Sequence, residues 1–286
     1  MEIINDIFGM QQRCLALRAA GKMIAFVPTM GYLHEGHLSL LREGRRRGDV
    51  LVLSIFVNPA QFGQGEDFTS YPRDLSRDAE LAEKAGTDIL FAPEAGDMYP
   101  RGYATYVDVE GLTETLCGAA RPGHFRGVTT VVSKLFGIVQ PHVALFGEKD
   151  FQQLTVIRRM TEDLNLPVRI VGQPIVREAD GLALSSRNVN LSTEQRQQAL
   201  VLSQVLARGR QLVAEGATEV DALLGELQEM IVAQPEARLD YLEVCHRSTL
   251  QRQQQVDADS MLLLAVFVGE TRLIDNGLLH PAAGAS

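Results

Sequence analysis

The chain has 286 residues, a length that suits roughly two domains, and is 45% hydrophobic and 22% charged, with 25 Gly and 11 Pro, a balance ordinary for a globular protein that excludes collagen-like or low-complexity chains. Its 27 basic against 36 acidic residues leave a net charge of −9, which argues against a protein held to nucleic acid by its phosphates but not against a local site for one small anion. Cys14, Cys117 and Cys245 are odd in number and far apart, so buried thiols in a reducing compartment are expected rather than a zinc or disulfide framework. The first fifteen residues carry Glu2 and Asp6 and no basic stretch ahead of an apolar one, and the longest apolar run, Met261 to Val268, is far too short to cross a bilayer. A cytosolic chain is expected.

In chain order, short apolar runs end at turn-forming residues: Met23–Val27 before Pro28, Val50–Val57 before Asn58-Pro59, Asp88–Ala92 before Pro93, Val143–Phe146 before Gly147 and Val168–Val171 before Gly172. Their length and β-branched content predict buried strands. Between them, Gly36–Arg47, Leu75–Ala85, Val128–Val139 and Phe151–Leu164 have helical periodicity. The alternation predicts an α/β fold: a Rossmann-like parallel sheet with helices on both faces, and ligands at the carboxyl ends of its strands. Composition then shifts. Ser192–Glu215 reads as one helix capped by Ser192, and Val220–Val232 as a second, capped by Thr218. Leu239–Val244, Met261–Val268 and Arg272–Ile274 read as strands, the last two joined at Gly269-Glu270. A smaller C-terminal α+β domain is therefore expected, with boundaries near 1–176 and 177–280, and a disordered tail at 281–286.

The first strand end carries the most chemistry. Pro28–His37 contains Met30, Gly31, Tyr32, Leu33 and then His34-Glu35-Gly36-His37, where a helix should begin. A helix N-terminus offers free N–H groups to phosphate, the glycines let a ligand approach the backbone, and two imidazoles can donate to a phosphate whose charge grows in a transition state. A capping or solvent-facing role is the alternative for a single His. The metalloprotease motif needs its histidines four apart, so a metal site is not indicated. Asn58 and Gln61 follow the second strand and suit a hydroxyl-bearing acid, or else tie down their own loop. Gly147, Glu148, Lys149 and Asp150 follow a further strand, with Asp150 a possible cap for the helix at Phe151 and Lys149 a mobile charge suited to phosphate. Ser185, Ser186 and Arg187 lie in a polar connection and fit a triphosphate or an ordinary linker. His124 precedes the helix expected near Val128, as a loop hydrogen-bonder or near an anion at the helix start. Neither a P-loop nor a dinucleotide fingerprint occurs.

The pattern His-x-Gly-His after a first strand resembles the nucleotidyltransferase superfamily. The fuller blocks Phe26–His37, Ser54–Phe62, Tyr71–Arg73, Arg121–Gly127, Phe146–Leu154, Asp180–Asn188 and Arg272–Asn276 together resemble the pantothenate synthetases, the AMP-forming ligases of pantoate and β-alanine. The resemblance implies an ATP- and pantoate-binding first domain and a lid-like second one. His34, His37, Lys149 and Arg187 would be catalytic. Met30 to His37, Gly147 to Asp150, Val176 and Leu184 to Arg187 would bind ATP. Gln61 and Gln153 would bind pantoate, and Gln61 also β-alanine. It further implies Mg²⁺ and a homodimer, and places Tyr71 and Asp78 at the same mouth, although by sequence each reads as a surface residue. Two rival readings are a nucleotidyltransferase with another acceptor, which would need a cationic acceptor site, and an inactive nucleotide-binding protein, which would ordinarily have lost one of the four catalytic residues.

Overall fold

The computed structural model describes residues 1–280, so the expected tail at 281–286 lies outside the described residues. It divides into two compact units: 1–114, 121–148 and 153–175 form the first, and 115–120, 149–152 and 176 onward the second.

The first unit is built on a six-stranded parallel sheet of β1 (Glu2–Ile4), β2 (Ile24–Thr29), β3 (Val50–Ile55), β4 (Ile89–Phe91), β5 (Val143–Gly147) and β6 (Arg169–Gln173), in the spatial order β1-β4-β3-β2-β5-β6. Its helices are α1 (Ile7–Ala19), α2 (Glu35–Arg47), α3 (Leu75–Lys84), the short α4 (Ala95–Met98), α6 (His124–Val139) and most of α7 (Phe151–Asp163); the short α5 (Cys117–Ala120) belongs to the second unit. Side chains alternate across β2. Ala25 and Val27 join Leu41, Leu51, Leu53 and Leu145 under α2, while Phe26 meets Phe136 of α6 edge-on from the opposite face. This two-sided burial is why the strands read as continuous apolar runs. The chain turns to one side of β2 to make β3 and to the other to make β5, so the topological switch point, where ligands sit in such sheets, falls between the carboxyl ends of β2 and β5.

Two features of this unit differ from expectation. β1 and α1 carry no clear pattern in the sequence: β1 is a three-residue edge strand, and only Met10 and Cys14 of α1 are buried. The helix expected from Val128 begins at His124, behind Gly123 in the left-handed conformation, so His124–Gly127 supplies its first turn.

The second unit holds an antiparallel sheet β7-β8-β9 of β7 (Ala237–His246), β8 (Ser260–Val268) and β9 (Thr271–Leu278), packed on α9 (Val201–Ala214) and α10 (Val220–Val232) through Leu206, Leu227, Leu262, Leu264 and Leu273. The expected single helix at 192–215 is two: α8 (Thr193–Ala199), with the Ser192–Gln195 capping box in place, and α9, separated where the Leu200 N–H bonds back to Gln197 instead of a residue four earlier. α10 is not capped by Thr218. Its start is tied by backbone, with Val220 N–H donating to Gln254 and Val256 N–H to Thr218. β9 runs four residues past Ile274, because the polar Asp275 and Asn276 are buried within it. The cysteines are all free thiols, and burial raises Cys14 to about 11 and Cys245 to about 12.

Candidate active site

At the carboxyl end of β2 the chain makes a tight turn through Gly31 (φ +85°) and Tyr32 (φ +52°) before α2. A β-carbon on Gly31 would stand 2.9 Å from Ile55 and 3.0 Å from the Asp78 carboxylate, so the left-handed backbone and the close approach both call for glycine. Asp78 and Arg77, in the first turns of α3, grip this turn. The Asp78 carboxylate accepts the N–H groups of Tyr32 (2.6 Å) and Leu33 (2.7 Å), and Arg77 donates to the Leu33 carbonyl at 3.0 Å. Asp78 is 1% exposed. Burial raises its pKa despite the two N–H bonds and the neighbouring Arg77 that pull it down. The surface reading of Asp78 is therefore corrected, as is that of Tyr71, which is buried with its ring 6.0 Å from that of Phe62.

The two histidines form the N-terminus of α2. Gly36 N–H donates to His34 Nδ1 at 3.2 Å, and His34 N–H donates to His37 Nδ1 at 3.3 Å; the rings lie 4.1 Å apart. Because both Nδ1 atoms accept, each neutral ring carries its proton on Nε2 and presents an N–H donor from that side. The capping geometry thus selects the Nε2–H tautomer of both rings. Leu33 enters the core with its side chain and gives its N–H to Asp78, and Glu35 pairs with Arg42, so these two residues of the predicted ATP stretch shape the turn.

Gln61 ends a 3-10 turn, Pro59–Gln61, that follows β3. Its amide is oriented at both ends: Oε1 accepts from Asn58 (3.0 Å), and Nε2 lies 3.3 Å from the Met30 sulfur. Asn58 in turn donates to the Gly127 carbonyl and accepts from the Tyr99 hydroxyl at 2.7 Å. A thioether is a weak acceptor, so Nε2 could exchange Met30 for a stronger acceptor at little cost. The backbone is held as well: the Gln61 carbonyl sits 2.8 Å from His124 Nδ1 and 3.3 Å from Arg121, which also clasps Glu66 with bonds of 2.7 and 2.6 Å. Burial works against the Glu66 anion, but Arg121, the Gly63 N–H and His124 outweigh it and bring its pKa down to about 2. His124 makes the hydrogen bond expected of one of its two readings, but from the first residue of α6 and not from a loop. Gly127 permits this assembly, since a β-carbon there would meet the Ala60 carbonyl oxygen at 2.2 Å.

Gln153 stands in the first turn of α7, half-buried. Its neighbour Gln152 is a structural residue of the second unit, with both amide ends taken by the backbone of Thr115 and Cys117.

In the second unit, Lys149 and Asp150 lie in a 3-10 turn, Glu148–Asp150, so Asp150 is part of a turn rather than a simple helix cap. Val176 and Leu184, both predicted to frame adenosine, are brought together by a 3.0 Å backbone bond that closes a hairpin. Ser185 caps the following 3-10 turn, its Oγ accepting the Arg187 N–H at 3.2 Å, and Ser186 is buried beside it. Arg77, Tyr99 and Glu66 were missed by sequence reasoning, and Asp78 was placed at this mouth only through the family resemblance, because each acts on a segment distant in the chain or on a loop partner that no local pattern marks.

The sequence pattern of the family described as pantoate-beta-alanine ligase matches residues 2–278. A pantothenate synthetase of Syntrophotalea carbinolica is 62% identical over 279 residues, covering 98% of this chain and 99% of its own. The crystal structure of pantothenate synthetase from Thermus thermophilus superposes with a TM-score of 0.92 at 49% identity, over 98% of this chain and all of that one. That of the Francisella tularensis pantoate-beta-alanine ligase, complexed with beta-gamma ATP and beta-alanine, gives a TM-score of 0.81 at 32% identity over 99% of both chains. A His-Glu-Gly-His helix start at the switch point, a buried glutamine beside it and this likeness along the whole chain agree: the chain belongs to the pantoate-beta-alanine ligase family.

Proposed function

We propose that this enzyme joins pantoate to β-alanine at the expense of ATP, in two steps. The pantoate carboxylate attacks the α-phosphorus, a new C–O–P linkage forms and the bond to pyrophosphate breaks. The β-alanine amine then attacks the acyl carbon of the adenylate, AMP leaves with the bridging oxygen, and the nitrogen gives up a proton to form the amide of pantothenate. No side chain forms a covalent intermediate, so the protein contributes position and electrostatics.

The observation that carries this reading is the paired Nδ1 caps of His34 and His37, which turn two Nε2–H donors into fixed features of a helix N-terminus. They would contact the α-phosphate and leaving pyrophosphate, with Lys149, Ser185, Ser186 and Arg187 joining them on the triphosphate. Met30, Gly147, Asp150, Val176 and Leu184 would frame adenosine. Gln61 and Gln153 would hold pantoate, Gln61 lying also beside β-alanine. Magnesium is proposed only as the counter-ion that arrives with ATP, since it commonly binds through phosphate oxygens and water. Among the described residues no group of three or more His, Cys, Asp or Glu is gathered to hold it, so no side chain is assigned to it. A homodimer in the cytoplasm belongs to the same proposal; no described helix is long and apolar enough to cross a membrane.

ATP–pyrophosphate exchange tests the order of steps. Pantoate alone should support exchange. Exchange that strictly requires β-alanine, or release of ADP with a pantoyl phosphate, would overturn the adenylate route.

A further inference from the structure

The block Arg272–Asn276 belongs to the family pattern, yet none of its residues enters the site described above. Its last two residues are polar, lie inside a strand, and are 3% and 4% exposed. A buried carboxylate and a buried amide persist in a strand only where their bonds are satisfied.

Successive residues of a strand point to opposite faces, and the two neighbours do so here. Asp275 pairs in register with Leu264, on the face that packs against α9 and α10. Asn276 pairs with Leu263, on the face shared with Leu116, Met261 and Phe151. On the first face, the Asp275 carboxylate takes both Nη atoms of Arg177, at 2.6 and 2.8 Å. Arg177 also donates to the Gly181 carbonyl, and so ties down the hairpin from Val176 to Leu184 that leads into Ser185, Ser186 and Arg187. On the second face, the Asn276 amide donates to the Lys149 carbonyl at 2.8 Å. Asp275 Oδ1 holds the Asn276 backbone N–H, also at 2.8 Å, linking the two anchors.

We propose that Asn276 is a positioning residue for Lys149. Its amide fixes the plane of the Lys149 peptide, and with it the direction in which the ammonium leaves the Glu148–Asp150 turn. Lysine is a point charge on a flexible stem, so where that charge falls depends on where the α-carbon is held. Asp275, clasped to Arg177, keeps the strand that carries Asn276 in place. The inference rests on the reading of Lys149 as a triphosphate residue.

The test is a double-mutant cycle of Asn276→Ala with Lys149→Ala, read by single-turnover formation of pantoyl adenylate and, separately, by conversion of preformed adenylate with β-alanine. Lys149→Ala should slow the first half-reaction by about 10²–10³-fold. Asn276→Ala should slow it about 10- to 100-fold, the cost of misplacing a catalytic group, and leave the second within about threefold. In the Lys149→Ala background the same substitution should add less than about twofold, because the two residues act as one unit. A purely structural role would instead depress both half-reactions alike and persist in that background, which would overturn the proposal while leaving the triphosphate reading intact. Lys149→Ala without effect on the first half-reaction would overturn that reading, and the proposal with it. Should Asn276→Ala not fold, as judged by circular dichroism, Asn276→Leu, which fills a similar volume without a donor, takes its place with the same expectations.

Discussion

Between Thr29 and His37 the chain is held almost wholly through its own backbone. Asp78 takes two N–H groups, Arg77 a carbonyl, and the histidines cap each other's turn. Between Val176 and Arg196 the bonds that matter run between charged side chains: Arg177 to Asp275, and Arg196 to both Glu178 and Asp180. In the first, Asp78 is buried and Arg77 partly exposed; in the second, Asp275 is buried, whereas Arg196, Glu178 and Asp180 are all partly exposed. Backbone anchoring fixes a peptide closely, which suits donors that must meet a transition state. Partly exposed ion pairs hold less tightly and weaken with salt, which suits a segment that must admit a large polyanion. The contrast matches the division of labour proposed here, with His34 and His37 preorganised and Ser185, Ser186 and Arg187 adaptable.

Breaking the rigid side should cost more than breaking the adaptable one. Asp78→Asn keeps the volume but sets an amide against two backbone donors, of which it can satisfy one. A stability loss of about 1–3 kcal/mol is expected from the buried donor left over, with a slower first half-reaction. Arg196→Ala removes partly exposed pairs and should cost under about 1 kcal/mol. Urea unfolding of both variants makes the comparison, and equal losses would erase the distinction drawn between the regions.

The next largest effect concerns substrate. Gln61→Ala removes the oriented Nε2 donor and should raise the pantoate requirement by about 10- to 100-fold, the equivalent of roughly 1–3 kcal/mol. ATP affinity measured by calorimetry should stay nearly unchanged. A parallel loss of ATP affinity would mean that the link to Met30 matters more than the substrate contact.

The smallest effect sharpens how the Gln61 turn is held. The carboxylate of Glu66 has a pKa lowered from 4.5 to about 2, so its contribution to stability is fully present above the unfolded value and is lost as pH falls through that window. Glu66→Gln removes the titrating group. Its urea midpoint should therefore fall less than that of the parent protein between about pH 5.5, above the window, and about pH 3, inside it. Identical acid profiles would show that Arg121 and the Gly63 N–H do not stabilise the Glu66 carboxylate in the folded protein.

Much of this was legible in the sequence, for physical reasons that also explain the gaps. Strands buried on both faces are continuous apolar runs, so β2, β3 and β5 could be placed, and with them the strand ends that carry chemistry. Histidines three apart after a strand, with glycine between them, predicted the helix N-terminus that was found. Nothing local marks Asp78, whose partner Leu33 lies 45 residues earlier, and a charged residue in an amphipathic helix ordinarily faces water. The end of β9 was hidden for a related reason. Apolar patterning stops at Ile274, whereas Asp275 and Asn276 are buried through partners in other segments. The helix break at Leu200 leaves no composition signal either, since it rests on a local change in backbone hydrogen bonding.

The central claim is that the rigid His-Glu-Gly-His turn serves the departure of pyrophosphate and not the formation of the amide. Single-turnover rates of the two half-reactions in His37→Ala test it most directly, with circular dichroism to confirm the fold. Pantoyl adenylate formation should fall by about 10²–10³-fold, the typical cost of one donor aimed at developing charge. Preformed adenylate should still react with β-alanine at close to the parent rate. Equal loss in both half-reactions would contradict the account, and would place His37 on the acyl group instead of the phosphates.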